Sequence, residues 1–369
     1  MRKNSQKGFT LLEIIIATTV LGVITIAMVP SFKAFATARQ LAYEAEQTRI
    51  NQKIANAIYA DASNKVGIDS AKLTPPCNNT TNRVFYSALN STLCTTTHTS
   101  GYRARFIDEG LTESLVQSDG SGKENIRMYQ RATVSDAVEI PFLSSENRAL
   151  ITSYDLGVVY LTNCGKNQAC NQTATITSLP RSQPIQPSET SATTGAARLL
   201  STNYQTWVPG SRDIGVTFIS TLPLQKELAK KTENKILFIR DALIRYTESL
   251  KAANPTSSAN FYPQPSNPSE RLPVTDPSTN DRCREGWYIL DEARYDILAL
   301  IGLGIPGSNF EMGRSEWGGS IEYCRDYDPS LSSPYGTAPH FAALRIHKDL
   351  TSGGPPDALI PQNNILISF

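Results

Sequence analysis

The chain has 369 residues, of which only 19% are charged, with 35 Lys and Arg against 34 Asp and Glu. A net charge of +1 argues against a broad basic surface or an acidic tail, so nucleic acid is not an expected partner. The length leaves room for two modest cores, and the abundance of Ser, Thr, Asn, Gly and Pro favours strands, turns and long loops over a helical bundle.

The first eight residues, "MRKNSQKG", carry Arg2, Lys3 and Lys7 and no acid. By the positive-inside rule this end stays in the cytoplasm and the rest faces the periplasm. From Phe9 to Val29 runs an apolar stretch of about 21 residues, long enough to cross a hydrocarbon core as a helix. A cleaved secretory signal, for which "ATA" at 36–38 offers a small-residue site, fits less well. The run exceeds the usual signal core, and helical periodicity continues past Pro30. Glu13 sits near the start of this stretch at a cost of roughly 2.5 to 3.5 kcal/mol on insertion scales, so it calls for a partner.

Gly8 followed by Phe9, Thr10, Leu11, Leu12 and Glu13 resembles the class III signal of type IV pilins and pseudopilins. The resemblance implies that a prepilin peptidase cuts after Gly8 and methylates the new N-terminus at Phe9. It also implies assembly with other pilin or pseudopilin subunits on an inner-membrane assembly platform, Glu13 pairing with a neighbour's N-terminal amine. Two charges held in low dielectric can compensate one another, whereas breaking such a pair costs about 3 to 5 kcal/mol.

On this reading residues 1–8 are a leader and 9–64 the pilin helix, with 9–29 transmembrane. Pro30 matches a proline common in pilin helices and kinks the helix without ending it. Beyond it Phe35, Ala38, Leu41, Ala42, Ala45, Ile50, Ile54, Ala57 and Ile58 fall at helical spacing, one face for a head domain. A continuous helix to Asn64 is roughly 80 Å long.

Residues 65–220 read as a first β-rich head. The segments "RVFYSAL", "YRARFID", "IRMYQRATV", "ALITSY", "LGVVYLT" and "TATITSL" are β-prone and bounded by Gly, Asn or Ser. Residues 180–195 are proline- and hydroxyl-rich and form a surface loop. At 221–369 the chain turns helical again, with Thr221 as N-cap, Pro223 in the first turn, and Ile236, Ile239, Leu243, Tyr246 and Leu250 as an apolar stripe. A proline-rich loop and short strands follow.

"DALIRYTESL" is similar to the end of a pilin stalk helix, "RLPVTDP" to the loop after it, and "SEWGGSIEY" to the Asp-Pro-Trp-Gly region of major pseudopilins. Trp317, Gly318, Ile321 and Tyr323 stay in register. Ser315 and Glu316 replace the Asp-Pro, a departure that weighs against calcium at this loop. The expected fold is therefore α+β: a long membrane-spanning pilin helix, a β-rich head, then a second pilin-like head of helix and small sheet.

Six cysteines in a chain directed to a membrane point to disulfides in an oxidising compartment. Of the fifteen pairings possible, sequential pairing is expected because each pair falls inside one structural unit: Cys77 with Cys94, Cys164 with Cys170, and Cys283 with Cys324.

Chemistry is sparse. "GLGIPG" at 302–307 has the glycine spacing of a dinucleotide loop but no preceding strand in a βαβ unit, and "SDGSGKEN" at 118–125 departs from a phosphate loop at two positions. His98, His340 and His347 have no zinc-protease spacing. Glu311, Glu316, Glu322, Asp326 and Asp328 could supply oxygen ligands for calcium but more often such a group is a solvated acidic rim, and Trp207, Trp287 and Trp317 read as core anchors. The expectation is a protein that is not an enzyme and holds no cofactor or metal. The role that fits is a minor pilin, inserted in the bacterial inner membrane as a precursor and then assembled into a surface pilus. The alternatives are a minor pseudopilin of a type II secretion system, in a periplasmic pseudopilus, and a filament-anchored adhesin.

Overall fold

The computed structural model describes residues 11–73, 106, 108–112, 115, 127–161, 214–266, 282–305, 310–329 and 338–369. Helix α1, Leu11–Ser63, runs unbroken for 53 residues through Pro30. Among the described residues no helix is long and apolar enough to cross a membrane. The span expected over 9–29 falls mostly on side chains outside the described residues.

The expected apolar stripe of α1 divides into two parts. Phe35, Ala38, Leu41, Ala42 and Ala45 face solvent, whereas Ile50, Ile54, Ala57 and Ile58 are buried. The buried face begins at Gln47 and continues through Ile50, Asn51, Ile54, Ala55, Ile58 and Ala62, the three- and four-residue spacing of one helix side.

That face packs on a three-stranded antiparallel sheet. Its strands are β1 (Arg127–Val134), β4 (Tyr154–Leu161) and β5 (Ile214–Ser220), in the order β1-β4-β5. Central strand β4 is buried almost throughout, as its apolar run requires. Between β1 and β4 lies a hairpin of β2 (Val138–Phe142) and β3 (Ser144–Ile151), closed at Leu143.

Two sequence expectations are corrected here. Phe106 and Asp108, placed in a strand by their β-prone surroundings, are helical. The Leu111 amide donates to the Phe106 carbonyl at 2.8 Å and Gly110 has φ +69°, which is how a helix closes on a left-handed glycine. β5 "IGVTFIS" was not among the expected strands, while "RVFYSAL" and "TATITSL" lie outside the described residues.

Helix α2, Leu222–Ala253, follows β5 directly. Thr221 does not cap it with its side chain. Its hydroxyl instead accepts the Asp155 amide at 2.9 Å, because the tight exit from β5 keeps Thr221 against β4. Pro223 does occupy the first turn, and Ile236, Ile239 and Leu243 are buried while Tyr246 and Leu250 are half-buried.

A second antiparallel sheet joins β6 (Tyr288–Ile289), β7 (Glu322–Cys324), β8 (Ala343–His347) and β9 (Asn364–Ser368) in that order. One hydrophobic core links both parts of the chain, from Ile54 and Ile58 through Tyr129 and Val159 to Ile236, Trp317, Tyr323 and Ile365. Residues on either side of position 220 thus share an interior.

A smaller cluster surrounds the Cys283–Cys324 disulfide, with Trp287, Tyr327 and Ala343. The other four cysteines and Trp207 lie outside the described residues. The bridge closes a separation of 41 residues. Chain-entropy arguments assign a loop of that size about 4 kcal/mol. Replacing Cys283 and Cys324 together by serine should therefore lower the melting temperature markedly under non-reducing conditions, and an unchanged melt would show that the bridge adds nothing.

Candidate functional site

Gly8 and Phe9 lie outside the described residues; Glu13 lies on α1, its side chain outside the described set. Before Gln47 the described part of α1 extends about 54 Å at 1.5 Å per residue. Along it Ile16, Val20, Phe35 and Leu41 are 54%, 52%, 70% and 60% exposed. A helix that shows large apolar side chains along its length has surface available for another protein or for lipid.

Where α1 meets the head, a buried polar node fixes it. Arg127, 1% exposed, opens β1. Its Nη2 donates to Gln47 Oε1 at 2.6 Å, its Nε to the Leu115 carbonyl at 2.9 Å, and its Nη1 to Asn51 Oδ1. Asn51 Nδ2 in turn donates to the carbonyls of Gly215 at 2.6 Å and Ile214 at 3.2 Å. A buried guanidinium must have its donors filled, and amides four residues apart on one helix face do so in register. No motif in the sequence marks this node. Its signal was the phase of Gln47 and Asn51, which share the face of Ile50 and Ile54.

A second junction clamps the segment after α1. Ser70 Oγ donates to the Glu316 carbonyl at 2.8 Å, the Leu73 amide to Asp155 Oδ2 at 2.8 Å, and Gln225 Nε2 to the Ala71 carbonyl at 3.4 Å. Trp317 Nε1 donates to Gln225 Oε1 at 2.7 Å, and the Glu316 amide to Thr232 Oγ1 at 3.1 Å. Ser315 and Glu316 thus have structural uses: Ser315 Oγ accepts the Gly319 amide at 2.9 Å, and Glu316 pairs with Lys235 at 2.7 Å.

Three of the other four acids of the expected rim also meet bases. Glu322 pairs with Arg345 at 2.7 Å inside the protein, where Arg345 also lies 4.2 Å over the Trp287 ring. Asp328 pairs with Arg284, and Asp326 faces His340 at 3.7 Å. Three of the five, Glu322, Asp326 and Asp328, are buried, which corrects the picture of a solvated rim. Among the described residues no group of three or more His, Cys, Asp or Glu could hold a metal ion.

Burial pushes the Tyr323 phenol well above its ordinary range, and its hydroxyl donates to the Pro263 carbonyl at 3.2 Å. For Arg314 the cause is different: the hydrogen bond to Asp291, with that carboxylate's charge, raises the guanidinium while burial works against it. In "GLGIPG", a Cβ on Gly304 would collide with the Phe310 ring, so this glycine allows close packing.

Residues 3–29 match a family model described as the prokaryotic N-terminal methylation motif, the signal found on type IV pilins and pseudopilins. No curated protein and no solved structure matches the chain.

Proposed function

From the type IV pilin and pseudopilin signal that the chain carries at residues 3–29, we propose a non-enzymatic minor pilin that packs into, or primes, a type IV pilus-like filament. The observation that carries this reading is the union of that signal with α1. The helix continues from the motif to Ser63, and its described side chains before Gln47 are nearly all solvent-facing, including Phe35 and Leu41. In the precursor the 9–29 segment spans the inner membrane with the leader in the cytoplasm. After cleavage and methylation at Phe9 the same segment passes into the filament, and the head faces outward. A head this bulky suits a rare position, at the tip or in the initiating complex, better than a repeating one.

Mass spectrometry of filaments sheared from cells tests this directly. A methylated peptide beginning at Phe9, present at a small fraction of the major subunit, supports a surface-pilus component. Its absence from sheared material but presence in the envelope would favour a periplasmic pseudopilin of a type II secretion system. Gly8→Ala should lower processing and leave precursor in the membrane, because it alters the residue after which the cut is expected. Intact-mass analysis of membranes checks this, and normal processing would remove the basis for the leader assignment.

A further inference from the structure

Strand β9 closes one side of the second sheet, and its backbone groups divide by residue. The Phe369 and Ala342 amides each donate to the other's carbonyl at 2.9 Å, and the antiparallel register carries the same exchange to Ile367 with Leu344 and to Ile365 with Ile346. The residues between them turn their backbone groups away from β8. These groups are the amides and carbonyls of Leu366 and Ser368 and the carbonyl of Asn364, whose own amide is already bonded to the Pro361 carbonyl. Among the described residues no strand pairs with this outer edge and none of these groups has a hydrogen-bond partner. Strand β3 reaches the sheet at Lys348, whose carbonyl accepts the Leu150 amide at 2.8 Å, and does not pair with β9.

Folded proteins ordinarily protect such an edge with a charge, a proline or a bulge. Residues 363–369, "NNILISF", have no charged side chain and no proline, and β8 and β9 keep one register from Asn364 to Ser368 without a bulge. Both faces of the strand are anchored: Ile365 and Ile367 pack in the main core and Leu366 against the disulfide cluster. The edge is therefore a preformed template for another strand.

Its free groups are complementary to themselves. We propose that two copies of the chain pair β9 to β9, antiparallel about a two-fold axis at Leu366, and so join their second sheets into one. The Leu366 amide of each copy then donates to the Leu366 carbonyl of the other, and the Ser368 amide of each to the Asn364 carbonyl of the other, so every free edge amide meets an acceptor. No like charges face each other, because the strand has none. Asp357, whose carbonyl accepts Asn364 Nδ2 at 2.6 Å, keeps its carboxylate on its own loop, where it accepts the Leu359 and Ile360 amides at 2.9 and 3.0 Å. The pairing makes no use of α1 and is independent of the filament reading.

The test uses the full chain in detergent micelles, with amide exchange read residue by residue. Raising the concentration from about 1 to about 100 μM should slow exchange at Leu366 and Ser368 roughly tenfold or more and leave Ile365 and Ile367, already bonded to β8, unchanged. Ser368→Pro removes an outward amide and spares the β8 ladder, so it should abolish the slowing at Leu366 while Ile367 stays protected. A second measurement needs no proline: a nitroxide on Gln362→Cys, at an exposed position, should report a distance of roughly 30 Å between copies, eight residues apart along the paired strands. Exchange at Leu366 that ignores concentration, the same slowing in Ser368→Pro as in the parent, or dimers that lack this distance because they form through α1, would each overturn the pairing.

Discussion

Replacing Glu13 by alanine should leave the expected cleavage after Gly8 intact and remove the chain from the proposed filaments. The peptidase reads the residues around the cut, whereas Glu13 lies further along, on α1. Its carboxylate is costly in a hydrocarbon environment, by roughly 2.5 to 3.5 kcal/mol, unless a cation meets it there. In the proposed assembly that cation is the N-terminal amine of a neighbouring subunit. Alanine removes the attraction and leaves the amine buried alone, which costs about 3 to 5 kcal/mol. Since about 1.4 kcal/mol corresponds to a factor of ten, the ratio of filament-bound to membrane-bound chain should fall at least a hundredfold, roughly. Glutamine, which keeps a hydrogen-bonding group but no charge, should restore only part of it. The ratio is read from the peptide beginning at Phe9 in sheared filaments and in envelopes, and normal incorporation of Glu13→Ala would end the charge-pairing account.

The elements that were legible in the sequence are those specified by local periodicity. The Ile50, Ile54, Ala57 and Ile58 face of α1, the Pro223 start of α2 and the strand character of "IRMYQRATV" depend on near neighbours, and each is where the pattern puts it. What the pattern could not show is long-range. β4 pairs with β5, whose residues lie more than fifty positions on, and Arg127 meets Asn51 across 76 positions. Phe35 and Leu41 are as apolar as Ile50 and Ile54, and it is the placement of the sheet that leaves the first pair exposed and the second buried. Likewise Trp317 reads as an anchor, but its bond to Gln225 of α2 depends on a neighbour 92 positions away.

The same long-range fit makes Gly215→Val a severely damaging change in the head. Gly215 lies in β5 with φ +61°, a left-handed conformation that a β-branched residue adopts only at a cost of about 1 to 2 kcal/mol. A Cβ there would lie 2.8 Å from the Thr48 Cα and 2.9 Å from Asn51 Nδ2, so it strikes the backbone of α1 and the amide that ties α1 to the sheet. Overpacking of this kind costs about 1 to 3 kcal/mol, and displacing Asn51 strips hydrogen bonds from buried groups, Arg127 among them. The terms point the same way, and a fall of roughly 10 °C in the melting temperature of the full chain in detergent is expected. Gly67→Ala separates strain from collision, because Gly67 has nearly the same φ, +65°, with nothing within 4 Å of its Cβ position. If that control destabilises the protein as much as Gly215→Val does, backbone strain alone is at work and the seat of α1 on β5 is looser than the geometry implies. If only Gly215→Val is severe, the close approach of β5 to Thr48 and Asn51 is what holds the helix to its head.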